Sequence, residues 1–253
     1  MSHPTVQVIN LGHTYPDGTV ALREVSFRIA YGESVAIIGA NGAGKSTLLL
    51  HLNGCLIPTE GEVRIGPVTL TRKTLGKIRR TVGMVFQNPD DQLFMPTVYD
   101  DVAFGPLNFG LTGEEVERRV KESLEQVGAL HLQGKPPYRL SAGEKKRVAI
   151  ATVLSMSFDI LVMDEPTDGL DPFARRQLME LLGNIHHTKI FTGHDLDMAV
   201  SLCERIIVLH EGELMADGPT HDIFRNETLL TRCRLEKPLS MQGCPVCGTH
   251  VIL

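Results

Sequence analysis

The chain has 253 residues, 42% of them apolar, and a formal net charge of -5 at pH 7. That length can bury a large core in one domain or two intimately joined lobes, while the acidic balance argues against a chain-wide nucleic-acid footprint. No apolar run approaches the ~18 residues of a membrane span, and the opening MSHPTVQVINL lacks the basic and apolar segments of a secretory signal.

In chain order, TVQVINL and VALREVSFRI read as strands, the second with Val25, Phe27 and Ile29 on one face. SVAIIG is a short buried strand, and STLLLHLNG is a helix closed by Gly54. GEVRIG suggests an edge strand, and VGMVF a buried one stopping at Gln87. From about Pro89 to Ser157 loops and helices take over. Thr112 and Glu115 have the spacing of a capping box, and EEVERRVKESLEQVG is an amphipathic helix closed by Gly128.

The stretch LSAGEKKRVAIATVL follows the breaker-rich PPYRL, with Ser141 and Glu144 as a second capping box before an apolar run. Gly143 weakens the first turn and leaves its N–H groups open to an anion. The basic run Lys145, Lys146 and Arg147 reads as a solvated face or a phosphate-side field. DILVMD is another buried strand, and DPFARRQLMELLG a helix with Asp171 at its N-cap and Pro172 at its first position. KIFTG, RIIVLHEG and ELMADG are further strands, with DLDMAVSLC a helix between the first two; after about Asn226 no periodicity is clear. Alternating strands and helices around one glycine-rich turn indicate an α/β fold.

The strongest chemical signal is GANGAGKS, from Gly39 to Ser46, in strand, loop and helix context. Its glycines let backbone N–H groups curve around a phosphate, Lys45 can reach the β- and γ-phosphates, and Ser46 offers a hydroxyl to Mg²⁺. ILVMDE supplies the complementary half: a strand delivers Asp164 to the Mg²⁺ shell and leaves Glu165 as candidate general base for an attacking water.

These residues resemble the ATP-binding subunits of ABC transporters over roughly residues 5 to 225. The resemblance implies a P-loop NTPase of the ABC ATPase type, with an antiparallel β subdomain and a helical subdomain. Residues 1–88 and 158–225 would form the nucleotide-binding core with its β subdomain, 89–157 the helical lobe, and 226–253 a C-terminal extension. ATP and Mg²⁺ are the implied ligands. Gly39, Asn41, Gly42, Ala43, Gly44, Lys45, Ser46 and Thr47 would hold the phosphates, Tyr15 would stack on adenine, and Gln87 would join Ser46 and Asp164 at Mg²⁺. His194 matches the switch histidine, Asp171 ends the loop that crosses the dimer interface, and Ser141, Gly143 and Glu144 match the signature that binds ATP held by the opposite subunit. The structural alternatives are Tyr15 as a turn anchor before Pro16, Gln87 as a solvent-facing strand end and His194 as a helix-start residue packed on Asp195.

QNPDDQLFMPTVYDDVAFGPLNFG resembles the energy-coupling-factor group, and within it the ATPases of cobalt or nickel uptake; related members serve vitamin importers. The implied partners are a second ATPase chain, identical or paralogous, an energy-coupling transmembrane subunit and a solute-specific integral membrane subunit. The implied place is the cytoplasmic face of the cell membrane, peripherally bound, with no nucleic acid. A soluble regulatory ATPase and a non-enzymatic ATP-binding module are the competing classes. Two departures from the family pattern stand out: Ala142 in place of a glycine, and Gly193 before His194. Five cysteines do not resemble a disulfide framework, but CPVCGTH sets Cys244, Cys247 and His250 at metal-ligand spacing, with Cys233 or another chain as a fourth donor. Redox chemistry at the cysteine pair and an incidental tail are the alternatives.

Overall fold

The computed structural model describes residues 5–242. β1 (Val6–Thr14) and β2 (Val20–Ile29) alternate apolar and polar residues and pair antiparallel, burying Val6, Val8, Leu11, Leu22, Val25 and Ile29. β3 (Ser34–Ile38) is a nearly continuous apolar run, and it leads through the glycine-rich loop into α1 (Lys45–Leu52). α1 ends at Asn53, and Gly54 follows with φ +73°. Then come β4 (Glu60–Ile65), the two-residue β5 (Val68–Thr69), α2 (Leu75–Thr81) and β6 (Val82–Val85).

α3 (Val98–Asn108), α4 (Gly113–Gln126) and α5 (Ala142–Leu154) fill the next stretch. β7 (Ile160–Asp164), α6 (Pro172–Gly183), β8 (Thr188–Thr192), α7 (Leu196–Leu202), β9 (Arg205–His210) and β10 (Glu213–Pro219) complete the α/β core, and α8 (Thr220–Arg225) and α9 (Glu227–Arg232) follow.

The antiparallel sheet runs β2-β1-β4-β5 and the larger sheet β10-β9-β3-β8-β7-β6. All neighbours in the second are parallel except β10, which runs against β9. Alternation along its strands separates two cores. Val35 and Ile37 of β3, with Ile160 and Val162 of β7, pack with α1 and the antiparallel sheet. Ala36, Ile38, Leu161 and Met163 pack on the other side with Val102 of α3, Val120 of α4 and Val148 of α5. The parallel strands therefore point their C-terminal ends at one edge, where ligands gather in open α/β sheets.

Four local expectations are corrected. β4 lies between β1 and β5 and is an interior strand of its sheet. The Thr112 hydroxyl makes no cap hydrogen bond at the start of α4. The Glu115 carboxylate is taken instead by Arg119, 2.8 Å from Nε, and by two nitrogens of Arg118, and these bonds hold it down at about 2. Charge-assisted bonds to guanidinium groups one turn along outcompete a backbone N–H. Beyond Asn226 the chain is not featureless: the Asn226 side chain accepts from the Leu229 N–H to start α9, and Leu230 and Cys233 are buried in the core. Cys233 is therefore poorly placed as an exposed metal ligand, and its burial raises the thiol pKa. Cys244, Cys247 and His250 lie outside the described residues. Lys146, within the basic run, is buried as well.

Candidate functional site

The loop after β3 builds an anion cradle from backbone. Gly44 has φ +98° and stands at the N-cap of α1, where it offers no side chain to the first N–H groups of the helix. A Cβ on Gly44 would fall 2.6 Å from the Ala21 carbonyl oxygen, and one on Gly39 would fall 2.3 Å from that of Leu209. Glycine is thus required at both places by close backbone approach. Lys45 is 6% exposed, and its ammonium donates to the carbonyls of Gly39 at 2.9 Å and Ala40 at 3.2 Å. Burial lowers its pKa, partly countered by Glu165 and Asp164.

The ends of β6, β7 and β8 bring their acids and amides to the same edge. Asp164 ends β7, and its carboxylate accepts from the Thr192 hydroxyl at 2.5 Å. Glu165 follows in the left-handed region at φ +44°, a conformation costing about 1–3 kcal/mol in a residue with a side chain. Its N–H donates to the Thr192 carbonyl at 3.1 Å, which fixes the turn, and Oε1 lies 3.2 Å from His194 Nε2. Gln87, past the end of β6, donates from Nε2 to Asp168 Oδ2 at 3.1 Å. Asp164, Glu165 and His194 are thus tied together, and Gln87 is tied to the loop between β7 and α6.

The donor set fits Mg²⁺–ATP: a buried ammonium and uncapped N–H groups for phosphate, and the hard oxygens of Ser46, Gln87 and Asp164 for the ion. Gly42 has φ +77° with open space at its Cβ position, Asn41 is exposed, and Ala43 is buried under the loop.

Tyr15 is joined to the cradle by its hydroxyl, 3.0 Å from Thr47 Oγ1. Behind it, a buried histidine pair links β1 to α1. His51 Nδ1 donates to the Thr47 carbonyl at 2.7 Å, so its Nε2 accepts from His13 Nδ1 at 3.1 Å. Burial pushes the His51 pKa down to about 4. His51 is neutral in the folded chain at pH values where the unfolded chain is protonated. Stability from this group is therefore complete above about pH 6.5 and falls as pH drops toward 4, by ~3 kcal/mol in all. Urea midpoints measured from pH 7.5 to 4.5 should show this loss, and His51→Gln should flatten that part of the slope; an unchanged slope refutes the assignment.

The start of α5 has both halves of the capping box: Glu144 N–H donates to Ser141 Oγ at 3.3 Å, and Ser141 N–H to Glu144 Oε2 at 2.7 Å. A cavity of 310 Å³ opens there between α5 and α6, lined by Gly143, Arg147, Asp171 and Phe173 but by no residue of the glycine-rich loop. Asp171 accepts from the N–H groups of Phe173 and Ala174, both at 2.9 Å, so it caps α6. Gly143 also has a packing reason, since a Cβ there would lie 3.0 Å from that of Ala174. Gly193 has none: the nearest atom to its Cβ position is 3.8 Å away. Leu140 is buried in the core.

Lys146 overturns the reading of a solvated basic run. It is 2% exposed, and its ammonium donates to the carbonyls of Gln87 and Glu165. Lys145 pairs with Asp90 at 2.6 Å. Sequence reasoning missed Lys146 and Thr192. A signal for the lysine existed, because it lies one turn before the buried Ala149 and Ile150 on the inward stripe of α5.

A groove of 470 Å³ lies away from these residues, lined by Met84, Phe86, Phe94, Phe104, Phe109 and Met156 among others. Asp101 reaches its wall, accepting from the N–H groups of Phe94 and Met95 with Oδ1. Among the described residues no helix is long and apolar enough to cross a membrane.

A family model for the ABC transporter matches residues 22–168. An ABC transporter ATP-binding protein of Geobacter sulfurreducens is 72% identical, over 98% of this chain and 100% of its own length. An energy-coupling factor transporter ATP-binding protein of Methanothermobacter thermautotrophicus is 50% identical, over 92% and 76% respectively. Among solved structures, CbiO1 of Clostridium perfringens, described as part of the ABC transporter complex CbiONQ, superposes with a TM-score of 0.79 at 40% identity, covering 91% of this chain and 94% of its own. A dimeric ATP-binding cassette in a post-hydrolysis state with ADP and phosphate gives 0.77 at 33%, covering 85% and 98%. The matched family model, the identities over nearly the whole chain and the superpositions agree, and the chain belongs to the ATP-binding subunits of ABC transporters, of energy-coupling-factor type.

Proposed function

We propose that two such chains close around ATP and that its hydrolysis drives uptake of cobalt or nickel ions through an energy-coupling-factor membrane complex. The observation that carries the ATPase part of this reading is the convergence of Lys45, Asp164, Glu165 and His194 at one edge of the parallel sheet, and the similarity to CbiO1 supports the solute. Each chain supplies the glycine-rich loop of one site and the Ser141–Glu144 helix start of the other, which explains why the cavity at that helix start contains no loop residue. Glu165 takes the proton of the attacking water, while Lys45 and the loop N–H groups oppose charge on the transferring phosphoryl group. His194, 3.2 Å from Glu165, holds that carboxylate in place. Ser46, Gln87 and Asp164 would hold Mg²⁺, whose charge would offset that of the phosphates when it is bound.

Residues 89–157 act as the lobe that carries the motion, on a core made of 1–88 and 158–225. The apolar groove beside Phe94 and Phe104 fits a short helix of the transmembrane subunit, since both rings are substantially exposed and Phe86 and Met84 floor it. CbiO1 as part of a transporter complex supports this partner. Affinity purification from native membranes tests the reading: two integral membrane proteins should copurify, and cobalt or nickel should stimulate ATP turnover of that complex. Stimulation by a vitamin redirects the solute assignment. Turnover stimulated by nucleic acid, with no membrane partner, overturns the transport reading.

A further inference from the structure

Lys146 lies on α5 one turn beyond the residues proposed to meet the partner's ATP. Its ammonium is buried between two carbonyls, those of Gln87 and of Glu165, the latter 3.4 Å away. Burial lowers its pKa, and the negative charges of Asp168, Asp164 and Glu165 oppose that fall. The contact is one of several between α5 and the segment after β6. Lys145 holds Asp90 at 2.6 Å, and Gln92 Nε2 donates to the Ala149 carbonyl at 2.8 Å and the Thr152 hydroxyl at 2.7 Å. Three levels of α5 are thus fastened to the segment that follows β6. The Glu165 carbonyl also accepts from the Asp168 N–H at 3.2 Å, so displacement of Lys146 acts on a turn already constrained by its left-handed backbone.

The start of α5 serves one ATP site of the dimer, whereas Gln87 and Glu165 of the same chain serve the other. We propose that Lys146 is the positioning residue that couples the two sites. Closure of α5 on the partner's nucleotide moves the Lys146 ammonium, and with it the sensor glutamine and the base that act on the chain's own nucleotide. The physical link is direct: the ammonium moves with its helix, and the two carbonyls it binds belong to Gln87 and Glu165. This link rests on the dimeric ATPase reading above.

Lys146→Met removes the donors while keeping an unbranched side chain of similar length. In the full chain, binding of a non-hydrolysable ATP analogue should stay within about twofold, because the glycine-rich loop and Lys45 are untouched. Turnover should fall about tenfold or more through misplacement of the base, and the Hill coefficient for ATP should drop from about 2 toward 1. Lys146→Arg, which keeps charge and donors, should recover part of both. If Lys146→Met unfolds, Lys146→Leu, which also lacks a donor, carries the same expectation. Hydrogen exchange gives a readout independent of turnover: in a Glu165→Gln dimer ATP should slow exchange of the Asp168 N–H, which bonds the Glu165 carbonyl, and that slowing should shrink once Lys146→Met is added. A wild-type chain without ATP turnover overturns the enzymatic reading. A wild-type chain that turns over with a hyperbolic ATP curve, or a folded Lys146→Met chain as fast and as sigmoidal as wild type, overturns the coupling alone.

Discussion

Glu165→Gln should stop ATP turnover while leaving ATP bound. The amide matches the carboxylate in shape and can still meet His194, now 3.2 Å from Oε1, but it cannot take a proton from water. Loss of a positioned general base costs ~10²–10⁴-fold. Removing a negative charge beside the triphosphate also relieves repulsion, so ATP should hold the two chains together longer than in wild type. Phosphate release in a single turnover measures the first effect, and size-exclusion chromatography with ATP the second. A Glu165→Gln chain that hydrolyses ATP at the wild-type rate would remove Glu165 from the role of base.

Lys45→Ala should have the next largest effect, on binding itself. The ammonium is already desolvated, at 6% exposure, and sits among carbonyls that hold it over the loop. Hydrogen bonds to charged groups are worth ~1.5–3 kcal/mol each, so losing the phosphate contact should weaken ATP at least ~10-fold and up to ~150-fold. Calorimetric titration measures this directly. Lys45→Arg should not restore the affinity, because a planar guanidinium needs more room than the glycine-lined loop gives an ammonium. Unaltered affinity in Lys45→Ala would refute the proposed phosphate contact.

Legibility followed the kind of constraint each residue answers. The cradle was readable because close backbone approach permits only glycine at Gly39 and Gly44, and the Ser141 cap because both halves of its box are local. The same spacing failed at Thr112, where Arg118 and Arg119 give Glu115 a stronger partner than the cap does. Lys146 was missed because its identity pointed to solvent while its position pointed inward, and only the carbonyls of Gln87 and Glu165, 59 and 19 residues away in sequence, explain the choice. β4 was placed at an edge because nothing in GEVRIG announces the two-residue β5 that covers it. Thr192 gave no sequence signal, since its hydroxyl matters only once β7 and β8 lie side by side.

The alternation along β3 and β7 has a consequence for dissection of the chain. Ala36, Ile38, Leu161 and Met163 belong to the same apolar cluster as Val102, Val120, Val148, Ile150 and Val153. Segment 89–157, cut out and expressed by itself, would turn those helix faces to water and behave as a sticky, poorly ordered fragment. Grafting it onto another ATPase to change its membrane partner would therefore require carrying over the underside of the sheet as well, residue by residue.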